Sequence, residues 1–163
     1  MTQEQQASPT LLAQDISNFI PHRSPMILVN EILSHQPDGL STLIHITPQS
    51  PYFNESLNGV ANYVCIEYMA QSIAALAGVE AKMQNQPIRV GFLLGSRKLQ
   101  MHIPYFANGV SYRTQITRLY QEDSGLAVFD CAIFHEQTLV ASANVNVFQP
   151  DDTHEYIKQS QTT

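Results

Sequence analysis

Apolar positions recur along this chain in two rhythms, and the change between them divides it. In residues 62–83 they fall three and four apart, so that Tyr63, Ile66, Met69, Ile73, Leu76 and Ala77 share one face of a predicted helix. The stretch contains no proline. At the helical rise it spans about 30 Å, the width of a small domain. Ala70, Ala74, Ala75, Ala77 and Gly78 keep the rod thin on several sides. A thin helix that is apolar nearly all round has to be wrapped by other structure. Its polar side chains are few, and two of them, Glu67 and Gln71, stand four apart and therefore on one face. A carboxylate in apolar surroundings is costly unless it has a partner or a task, which singles out Glu67.

The rest of the chain follows a rhythm of two, broken by turns. Residues 1–10 are expected to be a flexible tail. Residues 11–20 read as a short helix ended by Pro21, and the prolines of Pro21-His22-Arg23-Ser24-Pro25 stiffen the turn that follows. Residues 26–34 and 40–47 read as strands separated by Pro37-Asp38-Gly39, and residues 48–59 as a loop. After the helix, residues 88–103 form one long strand or two bent ones, with Gly91 and Gly95 as bulge positions. Asn108-Gly109 is a hairpin-type turn, and residues 110–120, 126–134 and 139–148 supply three more strands. Residues 151–163 are polar and read as a C-terminal tail, leaving 11–150 as a single domain. Two strands, one long helix and about four antiparallel strands make an α+β domain. An antiparallel sheet curved around a thin central helix is the hotdog architecture.

Composition narrows the classes of function. At 163 residues, 44% hydrophobic and 13% charged, the chain is globular and somewhat charge-poor. A net charge of −6 without a basic or aromatic stripe argues against a nucleic-acid surface. No apolar run reads as a membrane span, and the polar start MTQEQQASPT lacks a signal-peptide layout, so a cytoplasmic protein is expected. Cys65 and Cys131 then read as buried thiols. No His, Cys and carboxylate spacing suggests a metal site, and no phosphate loop or serine nucleophile elbow is present.

Three stretches resemble the beta-hydroxyacyl-ACP dehydratases of fatty-acid synthesis. Ile20-Pro21-His22-Arg23-Ser24-Pro25-Met26-Ile27-Leu28-Val29 is similar to that family's L-P-H-R-x-P-F-L-L-V. Ile66-Glu67-Tyr68-Met69-Ala70-Gln71 is similar to its I-E-A-M-A-Q helix motif, which carries the catalytic acid, and residues 92–104 match the next strand more loosely. The dehydratase-like branch of aryl polyene biosynthesis clusters resembles the chain more closely. There the P-H-x-x-P-M turn and I-E-x-M-A-Q occur with an L-L-G-x-R-x-L strand, as in Leu93-Leu94-Gly95-Ser96-Arg97-Lys98-Leu99. A late V-N-x-Y/F-Q-P-D also fits Val145-Asn146-Val147-Phe148-Gln149-Pro150-Asp151, so the likeness runs over about residues 16–152.

The resemblance implies dehydration of a 3-hydroxyacyl-ACP to the trans-2-enoyl thioester, with no cofactor, by a homodimer or a heterodimer with a related hotdog dehydratase. Such a reaction needs a base for the Cα proton, an acid for the leaving hydroxyl and donors aimed at the enolate oxygen. Glu67 takes the acid/base role, a buried carboxyl being suited to proton donation near neutrality, and Gln71 orients it. Phe53, Asn62, Tyr63, Phe92, Leu94 and Gly95 are the expected substrate contacts, and Arg97 and Lys98 a docking patch for the acidic acyl carrier protein. One element departs from the pattern. The family's catalytic His upstream of the helix aligns with Phe53 when counted back from Glu67, or with Ser56 when anchored on Pro51-Tyr52-Phe53, and the glycine at the helix entrance is replaced near Asn62. His22 is then the nearest substitute base. His45 is expected to face the sheet interior, and His35, His102, His135 and His154 the surface. Two alternatives accompany this reading: a subunit inactive alone that pairs with a His-bearing dehydratase, and an acyl thioesterase.

Overall fold

The computed structural model describes residues 6–150 together with 158, 160 and 161. His154 and most of the proposed C-terminal tail lie outside the described residues.

Six strands form one antiparallel sheet in the order β1 (Glu31–Gln36), β2 (Gly39–His45), β7 (Ser111–Gln121), β8 (Leu126–His135), β9 (Thr138–Phe148) and β5 (Phe92–Met101). Three short strands, β3 (Phe53–Asn54), β4 (Gly59–Ala61) and β6 (Tyr105–Ala107), make a second sheet. The long helix α2 (Cys65–Met83) packs against β2, β7, β8 and β9, so the large sheet curves around it in the hotdog arrangement. A short helix, α1 (Pro9–Leu12), sits on β1 and is capped by Ser8, whose hydroxyl accepts from the Leu11 amide. It begins earlier than the apolar pattern predicts because Ser8-Pro9 is an N-cap followed by a proline at the first helical position.

Period-two alternation explains the core. Tyr112, Thr114 and Ile116 of β7, Phe129, Cys131 and Ile133 of β8, and Ala141, Ala143 and Val145 of β9 are all buried beneath the helix. Two of the polar groups under the helix are matched, while Thr114 Oγ1 has no hydrogen-bond partner among the described residues. Thr42 Oγ1 and Ser72 Oγ lie 2.8 Å apart, and Ser72 Oγ donates to the Tyr68 carbonyl at 2.8 Å. The small residues on α2 are required by distance. A Cβ placed on Gly78 would come within 1.8 Å of the Phe19 carbonyl oxygen. Both cysteines are buried thiols, and burial pushes Cys65 up to about 11.

Several local expectations change. Tyr63 is 71% exposed, because residues Asn62–Val64 form a 3-10 turn and the helical phase starts only after them. The strand expected over 26–34 begins at Glu31; the Leu28 amide donates to the Gln71 side chain instead of to a neighbouring strand. In β5 the register shifts between Leu93 and Gly95, as expected for Gly95, but the second irregularity lies between Arg97 and Gln100, around Lys98 at φ 54°, and Gly91 precedes the strand. Gly109 turns the chain at φ 81°, yet β6 and β7 belong to different sheets, so no hairpin forms there. His45 points outward between buried Ile44 and Ile46 and meets Ser111 Oγ at 2.8 Å. His35 is buried, its Nδ1 accepting from the Ala7 amide at 3.0 Å. Residues 62–83 are long and apolar enough to cross a membrane by length and composition, but most of that helix is packed inside the sheet.

Candidate active site

Glu67 stands in the first turn of α2, where the helix dipole favours a carboxylate. One turn further on, Gln71 is fully buried and uses both ends of its amide. Its Nε2 donates to the Met26 carbonyl at 2.7 Å and, at 3.4 Å, to Glu67 Oε1; its Oε1 accepts from the Leu28 amide at 2.9 Å. The segment after the proline turn is thereby fastened to the helix. The turn itself is tightened by Arg23, whose Nη1 donates to the carbonyls of Ile20 (2.9 Å) and His22 (2.6 Å). These bonds bring His22 Nε2 to 3.9 Å from Glu67 Oε1, just beyond hydrogen-bond distance. His22 Nδ1 is buried and has no hydrogen-bond partner among the described residues. Burial holds the imidazole below its ordinary pKa, and the Glu67 carboxylate offsets this only in part. His22 is therefore biased toward its neutral form, the form able to accept a proton.

Both side chains open on a cavity of about 280 Å³ that runs along α2. Its floor is the helix stripe Glu67, Ala70, Ala74 and Ala77, spaced three and four apart on the face the sheet covers least. Phe92, Phe129 and Phe148 come from the strands opposite, and Arg118 and Gln121 lie among them. The Glu67 side chain is 37% exposed, so it sits at the cavity mouth and not in the fully dry setting the apolar helix suggested. An apolar channel with a carboxyl and an imidazole at one end can bind a linear chain and move a proton at its head.

Of the residues singled out in the sequence, the structure brings Glu67, Gln71, His22 and Phe92 to this site. It keeps Phe53, Asn62, Tyr63, Leu94 and Gly95 off the cavity lining. Phe53 packs on the core beside the small sheet, and the Asn62 side chain donates to the Ile103 carbonyl at 3.0 Å. Tyr63 and Leu94 are exposed, and a Cβ on Gly95 would meet nothing within 4 Å. Ser56, like Phe53 a position where the family His was sought, is exposed. Arg97 and Lys98 lie exposed on β5. Among the described residues no three His, Cys, Asp or Glu are grouped to hold a metal ion.

Arg118 was missed, although a signal was present: it continues the inward set Tyr112, Thr114 and Ile116 of β7, a charged residue on a buried parity. The alanines at 70, 74 and 77 were noticed for thinness, but which of them faced open space depended on the strands.

Comparison with known proteins identifies the family of the chain. A family described as ApeP-like, ApeP dehydratase, matches residues 14–158. The chain belongs to the ApeP-like dehydratase family. Glu67, Gln71 and His22 all lie within the matched span. A 3-hydroxyacyl-[acyl-carrier-protein] dehydratase FabZ of Syntrophotalea carbinolica is 30% identical over 146 residues, 86% of this chain and 97% of that one. The FabZ of Chlamydia trachomatis is 29% identical over 101 residues, and the match spans 65% of its length and 59% of this chain. The solved dehydratase heterocomplex ApeI:P from Xenorhabdus doucetiae has the same fold, with a TM-score of 0.83 and 23% identity over 90% of this chain and 97% of that one.

Gln71 provides a direct check on how the site is held. Gln71→Leu leaves the Leu28 amide and the Met26 carbonyl without their partner in a buried place, at about 1–3 kcal/mol for each group left unpaired. A net loss of about 2 kcal/mol or more in unfolding free energy is expected by denaturant titration. An unchanged midpoint would show that the amide is not what fastens the His22 turn.

Proposed function

We propose that this chain is a 3-hydroxyacyl-ACP dehydratase forming the trans-2-enoyl thioester in an aryl polyene or fatty-acid-like pathway. The observation that carries the reading is the placement of Glu67. Its carboxyl stands at the mouth of an apolar channel, 3.9 Å from an imidazole, in a chain of a dehydratase family. Neutral His22 takes the proton from Cα, and the electron pair of that C–H bond forms the new double bond. The C–O bond at C3 breaks as protonated Glu67 gives its proton to the departing hydroxyl, which leaves as water. Gln71 keeps the carboxyl aimed at C3, and the alanine floor holds the acyl chain. Carrier protein supplies the substrate, with Arg97 and Lys98, exposed on β5, as cations for its acidic surface. A cytoplasmic setting fits two unpaired, buried cysteines.

A second reading has a specific observation behind it. Strand β5 pairs with β9 on one side and with no strand on the other among the described residues, and it exposes Leu93, Leu94, Leu99 and Met101. A long, apolar, unpaired edge is a template for another strand. Phe92 and Leu93 of this same strand line the cavity, so a hotdog partner docked on β5 stands beside the channel and is positioned to bring the missing histidine.

One assay separates these readings. The chain is incubated with a 3-hydroxyacyl-ACP, alone and with a His-bearing hotdog partner, and products are followed by mass spectrometry. Enoyl thioester from the chain alone supports His22 as the base. Enoyl product only in the mixture supports the paired site. Free acid in place of enoyl product makes the chain a thioesterase and ends the dehydratase reading.

A further inference from the structure

One side chain of β1 ties the beginning of the described chain to the sheet. The Ala7 amide donates to His35 Nδ1 at 3.0 Å, across 28 residues of sequence. His35 is 7% exposed, and its Nε2 is buried with no hydrogen-bond partner among the described residues. A ring nitrogen that accepts carries no proton, so this imidazole is neutral and its proton sits on Nε2. Little else fastens the segment. Helix α1 has four residues, too few to be stable by itself, and Ala7, Leu11 and Leu12 are only partly buried where they pack on the core. Firm anchorage resumes at Ile16 and Phe19, which are buried.

The charged groups around the ring are few. Helix α1 carries none, and the residue paired with His35 on β2 is Leu40. The other titratable groups of these strands, Glu31 and His45, are exposed at the far ends of β1 and β2. Glu80 of α2 is the carboxylate that acts on the imidazole. It is bridged to Arg118 of β7, which also reaches Asp38 in the turn between β1 and β2, so this side holds one guanidinium and two carboxyl groups. Burial holds His35 below the ordinary imidazole range, and Glu80 offsets this only in part.

We propose that His35 is a pH-sensitive latch, which in its neutral form holds residues 6–13 on β1 and on protonation releases them. The inference does not depend on the dehydratase reading. The incoming proton goes to Nδ1, which turns from acceptor to donor and then faces the Ala7 N–H as a second donor. The bond is lost, and a buried imidazolium stands with neither N–H paired, which is unfavourable. The two carboxyl groups on the α2 side draw the new cation away from Ala7. Because the latched ring is buried, the proton enters as the segment lifts, and protonation and release are one event. Above the ordinary imidazole range both states are neutral and the latch holds. Below it the released ring takes up a proton more readily than the latched one, so the latch weakens as pH falls. Opening ends at Ile16, and the His22 turn stays in place.

Amide hydrogen exchange, read residue by residue by NMR on the full chain, tests this at about pH 7.5 and about pH 5, on either side of an ordinary imidazole. In the latched state the Leu12 and Ala13 amides donate to the Ser8 and Pro9 carbonyls. After correction for intrinsic rates, protection of the Ala7, Leu12 and Ala13 amides is expected to fall about tenfold at the lower pH, while that of β8 stays within about twofold. His35→Asn places an amide oxygen, which accepts but does not titrate, near the position of Nδ1, and protection of the segment is then expected to vary less than about twofold with pH. Wild-type protection that ignores pH overturns the proposal, as does an equal loss in the variant. A loss shared by β8 is global unfolding and overturns it too. If His35→Asn does not fold, a titration of the wild-type chain decides. The Ala7 amide and the His35 ring nitrogens are expected to move with one midpoint, below the ordinary imidazole value, and separate midpoints overturn the latch.

Discussion

On the proposed function, Glu67→Gln is expected to lower turnover of a 3-hydroxyacyl-ACP by about 100- to 10,000-fold, the range that a positioned general acid contributes. Glutamine has the shape of glutamate and keeps an oxygen to accept from Gln71 Nε2, so the 3.4 Å contact survives while the transferable proton does not. The carboxyl is 37% exposed at the cavity mouth, so its removal neither unpairs a deeply buried charge nor opens a void. The melting temperature should therefore move little while the rate collapses. That split identifies a chemical role, since a residue of structural importance loses both together. The measurement is enoyl formation at saturating substrate, with the partner chain present if the wild type requires one, and a thermal melt on the same sample. Full rate in the variant removes Glu67 from the reaction and with it the proposed mechanism.

Gly78→Ala is the substitution expected to damage the fold most per atom added. The helix crosses the chain at Phe19 so closely that the new Cβ would lie 1.8 Å from the Phe19 carbonyl oxygen, 2.5 Å from its carbon and 2.7 Å from its Cα. All three are backbone atoms, and backbone cannot swing aside as a side-chain tip does. Alanine is the better helix former, which contributes about 1 kcal/mol in its favour. Overpacking against a fixed neighbour costs about 1–3 kcal/mol and sometimes more, and a contact this short belongs at or above the upper end. A net loss of about 2 kcal/mol or more is expected, seen as a fall in Tm of about 4–8 °C for a chain of this size. A variant that melts higher than the wild type would show that the crossing relaxes easily. The consequence reaches the active site, because Phe19 and Ile20 lead directly into the turn that carries His22. Pushing the helix off Phe19 also moves the imidazole relative to Glu67.

Local periodicity alone determined a good part of this molecule. The rhythm of three and four located the central helix. The rhythm of two located β2, β7, β8 and β9, and Glu67 and Gln71 had to share a face because four residues is about one helical turn. These features are legible because they depend on neighbours in the chain. What the tertiary structure decided has partners far apart. The Gln71 amide clasps Met26 and Leu28 more than forty residues away, which makes a non-strand segment of one that alternates like a strand. Tyr63 carries the helical rhythm but falls in a 3-10 turn and is exposed. Arg118 meets Glu80 thirty-eight residues earlier and reaches the cavity only because β7 lies beneath the helix. The alanines at 70, 74 and 77 are small in any reading, but they become a channel floor because β5 lies at the sheet's edge and the helix face near it is left partly uncovered. Pattern tells which face of an element is apolar. What that face meets, and where a gap remains between the two, follows from the closing of long loops and the order of the strands.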